Sequence, residues 1–235
     1  MNVHIVPSSK PLPGVAGIAP AARLLVDAAE AADVISALGH VIAVARNAEV
    51  FGEGEPADHV YVVVSGVIRI CKLLGDGRRQ IEAFCMPGDA FGWERGLTHR
   101  FSAEAVSEGR LVRIKRSVAF TRACDDVNVS QCLWALTFDE LHRAQDHLLL
   151  LGRKSAQERV AAFLLDLSYR AARKGQTGRE LVLPMSRQDI ADYLGLTIET
   201  VSRTLSALED SGLIALPASR KVVLKDIHAL RHLES

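Results

Sequence analysis

Three polar residues at helical spacing, Glu199, Ser202 and Arg203, have side chains suited to one kind of chemistry. A guanidinium can donate two hydrogen bonds to O6 and N7 of guanine, and a carboxylate can accept one from N4 of cytosine. A serine hydroxyl can hydrogen-bond to a base or touch the methyl group of thymine. Together they could read base edges in a DNA groove. An exposed Glu/Arg pair on a helix is usually only a solvated surface, so the interpretation depends on the elements that position it.

Those elements are two short helices joined by a tight turn, within residues 186–212, SRQDIADYLGLTIETVSRTLSALEDSG. Ser186 and Asp189 have the spacing of a capping box. Gly195 ends the first helix after two turns, and Thr197 caps the second. The buried stripe of the second helix is predicted to be Ile198, Val201, Leu205 and Leu208. This pattern is a helix-turn-helix, in which the N-terminal residues of the second helix enter the major groove.

Other polar residues around this motif are candidates for contacts with phosphates, which position a protein on DNA without reading its sequence. They lie near helix N-termini, where free backbone N–H groups favour anions, and on a basic turn after the second helix. The apolar runs 213–216 and 222–224 flank that turn and predict a two-stranded wing. A wing is also a common structural finish, so its contact with DNA remains open. The predicted phosphate contacts are Ser186, Arg187, Thr197, Thr200, Arg220 and Lys221.

From about Arg46 to Arg116 the sequence has the pattern of short β-strands. The apolar run 60–64 is followed by alternating residues at 67–72 and 80–84. Gly75-Asp76-Gly77 predicts a hairpin turn, because these residues tolerate positive φ. Short strands with turns every 8–12 residues, as expected of all-β domains, predict an antiparallel barrel or sandwich.

A long segment without Gly or Pro follows from Asp125 to Leu151 and predicts a single helix. Residues recur along it at alternating steps of three and four, the spacing of a coiled-coil seam. We expect this seam to pair with a second copy of the chain; the alternative is one wide face buried within a monomer. A second line, Leu133, Leu136 and Leu150, is expected to face the barrel. The predicted seam consists of Trp134, Thr137, Leu141, Ala144, Leu148 and Leu151.

These patterns predict an α+β chain with an N-terminal antiparallel barrel or sandwich, a dimerisation helix and a C-terminal winged helix-turn-helix. Gly152-Arg153-Lys154 is predicted as the hinge, and Ser155 with Glu158 as the capping box that starts the next helix. The predicted divisions are a flexible tail over 1–21, the barrel over 22–124, the dimerisation helix over 125–151 and the DNA-binding domain over 152–235.

The charge of the chain follows this division. The 235 residues balance 28 Lys+Arg against 28 Asp+Glu, which at first argues against a nucleic-acid partner. Residues 1–151, however, hold 15 and 18, whereas residues 152–235 hold 13 and 10. The neutral total therefore excludes only a uniformly basic protein. With 49% hydrophobic residues the chain is expected to be folded. It lacks a long apolar window and a signal peptide, which predicts a cytoplasmic protein without membrane contact.

Enzyme chemistry and bound cofactors are not expected. The cysteines lack CxxC spacing and are predicted to be small core residues. A cupin-type metalloenzyme, the alternative of another class, would need paired histidines and a carboxylate, whereas the barrel offers only scattered His40, His59 and His99. The four cysteines are Cys71, Cys85, Cys124 and Cys132.

From about residue 22 onward, the order of elements resembles the CRP/FNR family of bacterial transcription regulators. The resemblance is carried by Gly66, by the turns at 75–77 and 87–89, by Phe91-Gly92 and above all by residues 186–214. The E-T-V-S-R core is similar to the FNR and FixK branch. The resemblance implies that the N-terminal β-domain is a jelly-roll barrel like that of cyclic-nucleotide-binding domains. It implies further a homodimer, binding to an inverted repeat of TTGA-like half-sites, base reading by Glu199, Ser202 and Arg203, and a partnership with RNA polymerase. It also implies activation of genes for low-oxygen metabolism.

Two departures from the family concern effectors. The iron–sulfur members carry an N-terminal cysteine cluster, but residues 1–70 hold no cysteine. Cyclic-nucleotide members use a Gly-Glu pair and an Arg-Ser/Thr pair, which are interrupted here in Phe91-Gly92-Trp93-Glu94 and in His99-Arg100-Phe101-Ser102. A slip of one residue in a strand turns a side chain to the opposite face. We therefore expect no bound effector; the alternative is a cyclic-nucleotide-responsive regulator of the same fold.

Overall fold

The computed structural model of the chain describes residues 26–234, so the predicted flexible tail lies outside the described residues. The strands of the N-terminal half are β1 (His40–Val44), β2 (Glu49–Phe51), β3 (His59–Ser65), β4 (Ile68–Leu73), β5 (Arg79–Cys85), β6 (Ala90–Phe91), β7 (Ser102–Ala105) and β8 (Gly109–Lys115). The helices are α1 (Ala28–Ser36), α2 (Arg116–Asp125), α3 (Val127–Arg153), α4 (Ala156–Arg173), α5 (Arg187–Leu194), α6 (Ile198–Asp210) and α7 (Ile227–Glu234). The C-terminal strands are β9 (Glu180–Val182), β10 (Ile214–Ala218) and β11 (Lys221–Leu224).

The N-terminal domain consists of two four-stranded antiparallel sheets, with strand orders β1-β8-β3-β6 and β2-β7-β4-β5. Strand β3 is apolar on both faces because one face packs against the second sheet and the other packs against helices. Tyr61 and Val63 pack between the sheets, whereas Val60 and Val62 pack against the helices. The α+β prediction with an antiparallel jelly-roll-like domain is confirmed, as two facing sheets rather than a closed barrel.

The predicted hairpin at Gly75-Asp76-Gly77 joins β4 to β5. Leu73 pairs with Arg79 at its end, and Gly77 has φ of +84°. Glycine adopts this left-handed conformation without the steric cost that a Cβ would impose. The hairpin extends from the jelly-roll-like N-terminal domain, called the roll below, toward the C-terminal domain. Its strands take part in contacts with that domain.

The long helix α3 begins at the predicted place, where the side chain of Asp126 accepts from the backbone N–H of Asn128 at 2.9 Å. It continues through Gly152, so the predicted hinge is narrower than expected: the break lies at Lys154, before the confirmed capping box of Ser155. Helices α1 and α2, which the sequence analysis missed, precede α3 and pack against it. Leu133 and Leu136 pack in the apolar cluster between these helices and the sheet that contains β3 and β8, so they face the β-domain as expected.

Leu150 is buried in a second cluster, which joins Ile81 and Phe84 of the N-terminal domain to the core of the C-terminal domain. This core is built from α4, α5, α6, α7 and a sheet of order β10-β11-β9. The predicted two-stranded wing is therefore three-stranded, because Val182 of β9 pairs with Lys221 of β11.

Three of the four cysteines are buried as predicted, and all four are free thiols. The prediction is wrong for Cys124, which is exposed near the C-terminal end of α2. Within residues 26–234, none of the helices combines the length and the apolarity needed to cross a bilayer.

Candidate DNA-binding site

The first helix of the motif, α5, begins with the predicted capping box. The hydroxyl of Ser186 accepts from the backbone N–H of Asp189 at 3.0 Å, and Oδ2 of Asp189 accepts from the backbone N–H of Ser186 at 2.9 Å. Gly195 ends the helix with φ of +62°. A Cβ on Gly195 would lie 3.3 Å from Cδ2 of Leu151, so glycine serves both the left-handed turn and the close approach of α3.

The second helix, α6, presents one apolar and one polar face. The hydroxyl of Thr197 caps it by accepting from the backbone N–H of Thr200 at 3.2 Å. The predicted stripe is buried except for Ile198, which is 38% exposed because it occupies the first position of the helix. The opposite face carries the three predicted base readers Glu199, Ser202 and Arg203, all of which are exposed.

Glu199 is held in its ionised form. Hydrogen bonds from its own backbone N–H and from the Thr197 hydroxyl, together with the charge of Arg203, lower the pKa of this exposed carboxyl group. An ionised carboxylate is a pure acceptor and a partner for the N4 amino group of cytosine. The polar face of α6 therefore offers a charged acceptor and a charged donor one helical turn apart.

The predicted phosphate contacts differ in how freely their side chains are placed. Arg220 is exposed at the turn between β10 and β11. The ammonium group of Lys221 instead lies 2.6 Å from Oε2 of Glu180, in an ion pair that a phosphate contact would have to replace. Arg187 is half-buried, and burial lowers its pKa.

The hydroxyl groups proposed for phosphate contact already have partners within the protein. The Ser186 hydroxyl donates to Oδ2 of Asp189 at 2.8 Å as part of the capping box. The hydroxyl oxygens of Thr197 and Thr200 lie 3.1 Å apart. Arg220 is accordingly the predicted phosphate contact with the most freedom to meet DNA.

Arg159 of α4 holds the motif to the long helix, a role that the sequence analysis missed. Its guanidinium donates to the carbonyl oxygens of Leu151 and Leu194 at 2.9 Å each, and to that of Lys154 at 2.8 Å. Leu151 lies in the last turn of α3 and Leu194 ends α5, so one cation neutralises two helix C-termini. No periodicity reveals such a contact, because Leu194 lies 35 residues along the chain.

The predicted seam of α3 is largely an exposed apolar surface. Trp134 is 57% and Leu148 is 71% exposed, with Leu141 between them at 48%. Phe138, which was not predicted, is 44% exposed and its ring lies 5.6 Å from that of Trp134.

The remaining members of the predicted seam are less available for pairing. Thr137 is exposed, but its hydroxyl donates to the carbonyl oxygen of Leu133. Ala144 and Leu151 are half-buried, and Leu151 packs against the core of the C-terminal domain. The exposed surface is thus rotated from the predicted one, away from Leu151 and toward Phe138.

A cavity of about 190 Å³ lies where the roll meets α3. Carboxylates dominate its charged lining, with Glu82, Glu94 and Glu140 against the single guanidinium of Arg100. Glu94 is turned to the protein, because its Oε1 accepts from the backbone N–H of Arg100 at 2.9 Å. Phe101, which separates Arg100 from Ser102 in the sequence, also lines the cavity and makes it less polar.

Glu140 in this cavity makes stability depend on pH. Burial, and then the nearby Glu82, raise the pKa of Glu140 to about 7, against the opposing effect of Arg143. The folded state therefore favours the protonated form, and stability falls as pH rises from the unfolded pKa through the folded one. Since one pKa unit corresponds to about 1.4 kcal/mol, Glu140→Gln is expected to raise the free energy of unfolding by about 1–3 kcal/mol at pH 8.

The same substitution should change stability much less at pH 5, only just above the unfolded pKa, because most of the pH-dependent cost develops between that pKa and about 7. Denaturant unfolding at both pH values and one protein concentration checks this difference. Glu108→Gln, the same change at an exposed position, controls for the loss of one negative charge. An equal gain in stability at pH 5 and pH 8 would contradict the assignment.

Comparisons with known proteins agree with this geometry. Residues 158–233 match a Crp-like helix-turn-helix domain, and residues 41–126 match a cyclic nucleotide-binding domain. The nitrogen fixation regulation protein FixK of Azorhizobium caulinodans is 64% identical over 213 residues, which cover 89% of this chain and 85% of the relative. The transcriptional activatory protein AadR of Rhodopseudomonas palustris is 46% identical, over 71% and 70% of the two chains.

Among solved structures, FixK2 of Bradyrhizobium japonicum superposes with a TM-score of 0.78 at 47% identity, over 84% of this chain and 98% of that one. Full-length similarity to FixK proteins and an exposed polar face on a capped recognition helix lead to the same conclusion. The chain belongs to the CRP/FNR family of transcription regulators, among its FixK-type members, and its helix-turn-helix is a DNA-binding domain.

Proposed function

We propose that this protein is a homodimeric transcription activator that binds an inverted repeat of TTGA-type half-sites in the cytoplasm and works with RNA polymerase. The single observation that carries the proposal is the exposed face of α6, where Glu199, Ser202 and Arg203 can reach base edges while the opposite face is buried. The name of the FixK relative supports a role in regulating nitrogen fixation, and that of AadR supports activation. The name of a more distant relative, an anaerobic regulatory protein of Pasteurella multocida, supports target genes of low-oxygen metabolism.

Homodimerisation is supported by the apolar surface of α3. Side chains as large as Trp134, Phe138 and Leu148 share one exposed face of a 27-residue helix. Contiguous exposed apolar surface of this kind marks an interaction site. A parallel copy of the same helix presents the same surface, and two-fold symmetry matches the symmetry of an inverted repeat.

DNA binding without an effector is supported by the cavity in the roll. Its 190 Å³ is smaller than the roughly 300–1,000 Å³ of ordinary ligand pockets. Its lining holds three acidic side chains against the single guanidinium of Arg100, which offers a nucleotide phosphate little positive charge to bind. A cyclic-nucleotide-responsive regulator is the second candidate, because residues 41–126 match the cyclic nucleotide-binding domain.

The expected result is that the purified protein selects its site from random duplexes with no small molecule added. Selection should recover an inverted repeat, and adding cyclic AMP or cyclic GMP should leave affinity unchanged at constant salt, since salt alone alters DNA affinity strongly. A protein that selects the repeat only with a nucleotide present would establish the second candidate. Failure to select any repeat under either condition would contradict the proposed function itself.

A further inference from the structure

The β4–β5 hairpin of the roll is attached to the DNA-binding domain. At its apolar centre, the ring of Phe84 lies 5.2 Å from that of Tyr193 in α5 and 6.3 Å from that of Phe163 in α4. All three side chains belong to one cluster with the core of the C-terminal domain. The hairpin therefore contributes to the core that supports the helix-turn-helix.

An ionic cluster lies beside this apolar contact, centred on Asp189 of α5. Oδ1 of Asp189 accepts from Arg69 of β4 at 3.0 Å and from Arg79 of β5 at 2.6 Å. The Nε atom of Arg79 also donates to Oδ2 of Asp192 at 2.9 Å. Asp189 is only 5% exposed, and its other oxygen belongs to the capping box of Ser186.

Asp189 thus caps the first helix of the motif and binds the roll at the same time. Burial by itself would raise the pKa of Asp189, but the hydrogen bonds from Ser186 and the charges of Arg69 and Arg79 hold it below its usual value. Rotating α5 away from the roll would leave a buried carboxylate without its cations. Breaking such a pair is strongly unfavourable, so the contact opposes rotation of the whole motif.

A further ion-pair site, separate from the Asp189 cluster, lies at the other end of the hairpin. Asp89, after β5, accepts from Arg143 of α3 at 2.8 Å and from Arg170 of α4 at 2.9 Å. The roll is therefore bonded to the dimerisation helix and to both α4 and α5. These contacts span the narrow break at Lys154 and Ser155, which by itself would allow the DNA-binding domain to swing.

We propose that Arg69 and Arg79 fix the separation of the two recognition helices and so set the half-site spacing that the dimer accepts. The proposal rests on the proposed function as a dimer on an inverted repeat. Half-site spacing on DNA mirrors the geometry of the protein dimer. Two linked sites bind cooperatively only when their geometry permits simultaneous contact.

Arg69→Gln combined with Arg79→Gln tests this role. The matched control is Arg78→Gln, the neighbouring arginine, whose exposed side chain pairs with Asp76 within the hairpin turn. Each protein is titrated with duplexes that carry the two half-sites at the selected spacing, at spacings altered by one or two base pairs, and with a duplex carrying one half-site only.

For the double variant we expect affinity for the selected spacing to fall about tenfold, as for a protein whose binding-competent geometry is populated about one tenth of the time. Its preference for that spacing over the altered ones should fall by a similar factor. Affinity for the single half-site and discrimination among base substitutions should match wild type, because α6 is unchanged. The control should behave as wild type in every duplex.

Two less disruptive variants test the same contact. Asp192→Asn removes one of the negative charges that pair with Arg79 but leaves the capping box, and should weaken the spacing preference in the same direction. Arg79→Lys keeps the charge and should retain most of the preference. An unaltered spacing preference in the double variant would overturn the proposal, and so would an equal loss on the single half-site. Failure of the proposed function would instead appear in wild type, as absence of selective binding to any repeat.

Discussion

Replacing Leu148 by aspartate is expected to convert the proposed homodimer into a monomer. Leu148 is 71% exposed in the single chain, so the substitution should leave the monomer folded. In the dimer each substitution occurs twice, and burying one leucine contributes about 1.5–3 kcal/mol. The loss of about 3–6 kcal/mol corresponds to a dissociation constant raised about 10²- to 10⁴-fold.

Loss of the dimer should remove binding to the inverted repeat, because a monomer forfeits the gain from holding two half-sites at once. Light scattering gives the mass in solution, and a mobility-shift titration gives the affinity. Leu97→Asp is the matched control, the same change at a loop residue that is 85% exposed, and should alter neither. A Leu148→Asp protein that remains dimeric would show that α3 is not the interface.

Sequence periodicity predicted that α3 has an exposed apolar surface, but it did not predict the full set of residues that form that surface. The predicted seam assumed a repeat of 3.5 residues, whereas a straight helix has 3.6 per turn and drifts about 20° per heptad. The segment from Trp134 to Leu151 is longer than two heptads, so the accumulated rotation is more than about 40°. This rotation carries Ala144 and Leu151 toward the body of the protein. Phe138 is exposed for a different reason, because it lies four residues after Trp134 and so on the same face of the helix. Coiling of two helices around each other is what would restore the ideal seam.

Features that depend on residues close in sequence were predictable. The capping boxes at Ser155 and Ser186 and the turn at Gly195 depend on backbone groups within four residues, which the residue types specify. The buried stripe of α6 follows from the helical spacing of its apolar side chains. The apolar run in β3 was equally clear as a strand, although its two packed faces were not.

Contacts between distant segments were not predictable. Arg69 lies 120 residues from Asp189, and Arg159 lies 35 residues from Leu194. A lone arginine carries the same local signal whether it is solvated or holds two domains together. The two strands of the wing pair as predicted, but the third strand beside them was missed for the same reason, because the pairing of β9 with β11 is a long-range contact.

The strongest effect on sequence recognition is expected from Arg203→Ala. Arg203 is exposed on α6 one turn after the helix N-terminus, opposite the stripe formed by Val201, Leu205 and Leu208. Its guanidinium matches the paired acceptors of guanine, and losing a bidentate contact of this kind costs about 1–3 kcal/mol at each half-site. Because the side chain is solvent-exposed, the fold should keep its stability.

The cost should fall on one base pair in each half-site. A panel of duplexes with single substitutions is expected to show that wild type discriminates strongly at this pair, whereas Arg203→Ala accepts all four bases there and still discriminates elsewhere. Arg220→Ala provides the contrast, because loss of a phosphate contact should weaken binding evenly across the panel and reduce its salt dependence by about one unit of slope. Base reading and backbone positioning thus give opposite patterns on one set of duplexes. Full sequence preference in the Arg203→Ala protein would remove Arg203 from the base readers, and with it the orientation of α6 in the groove.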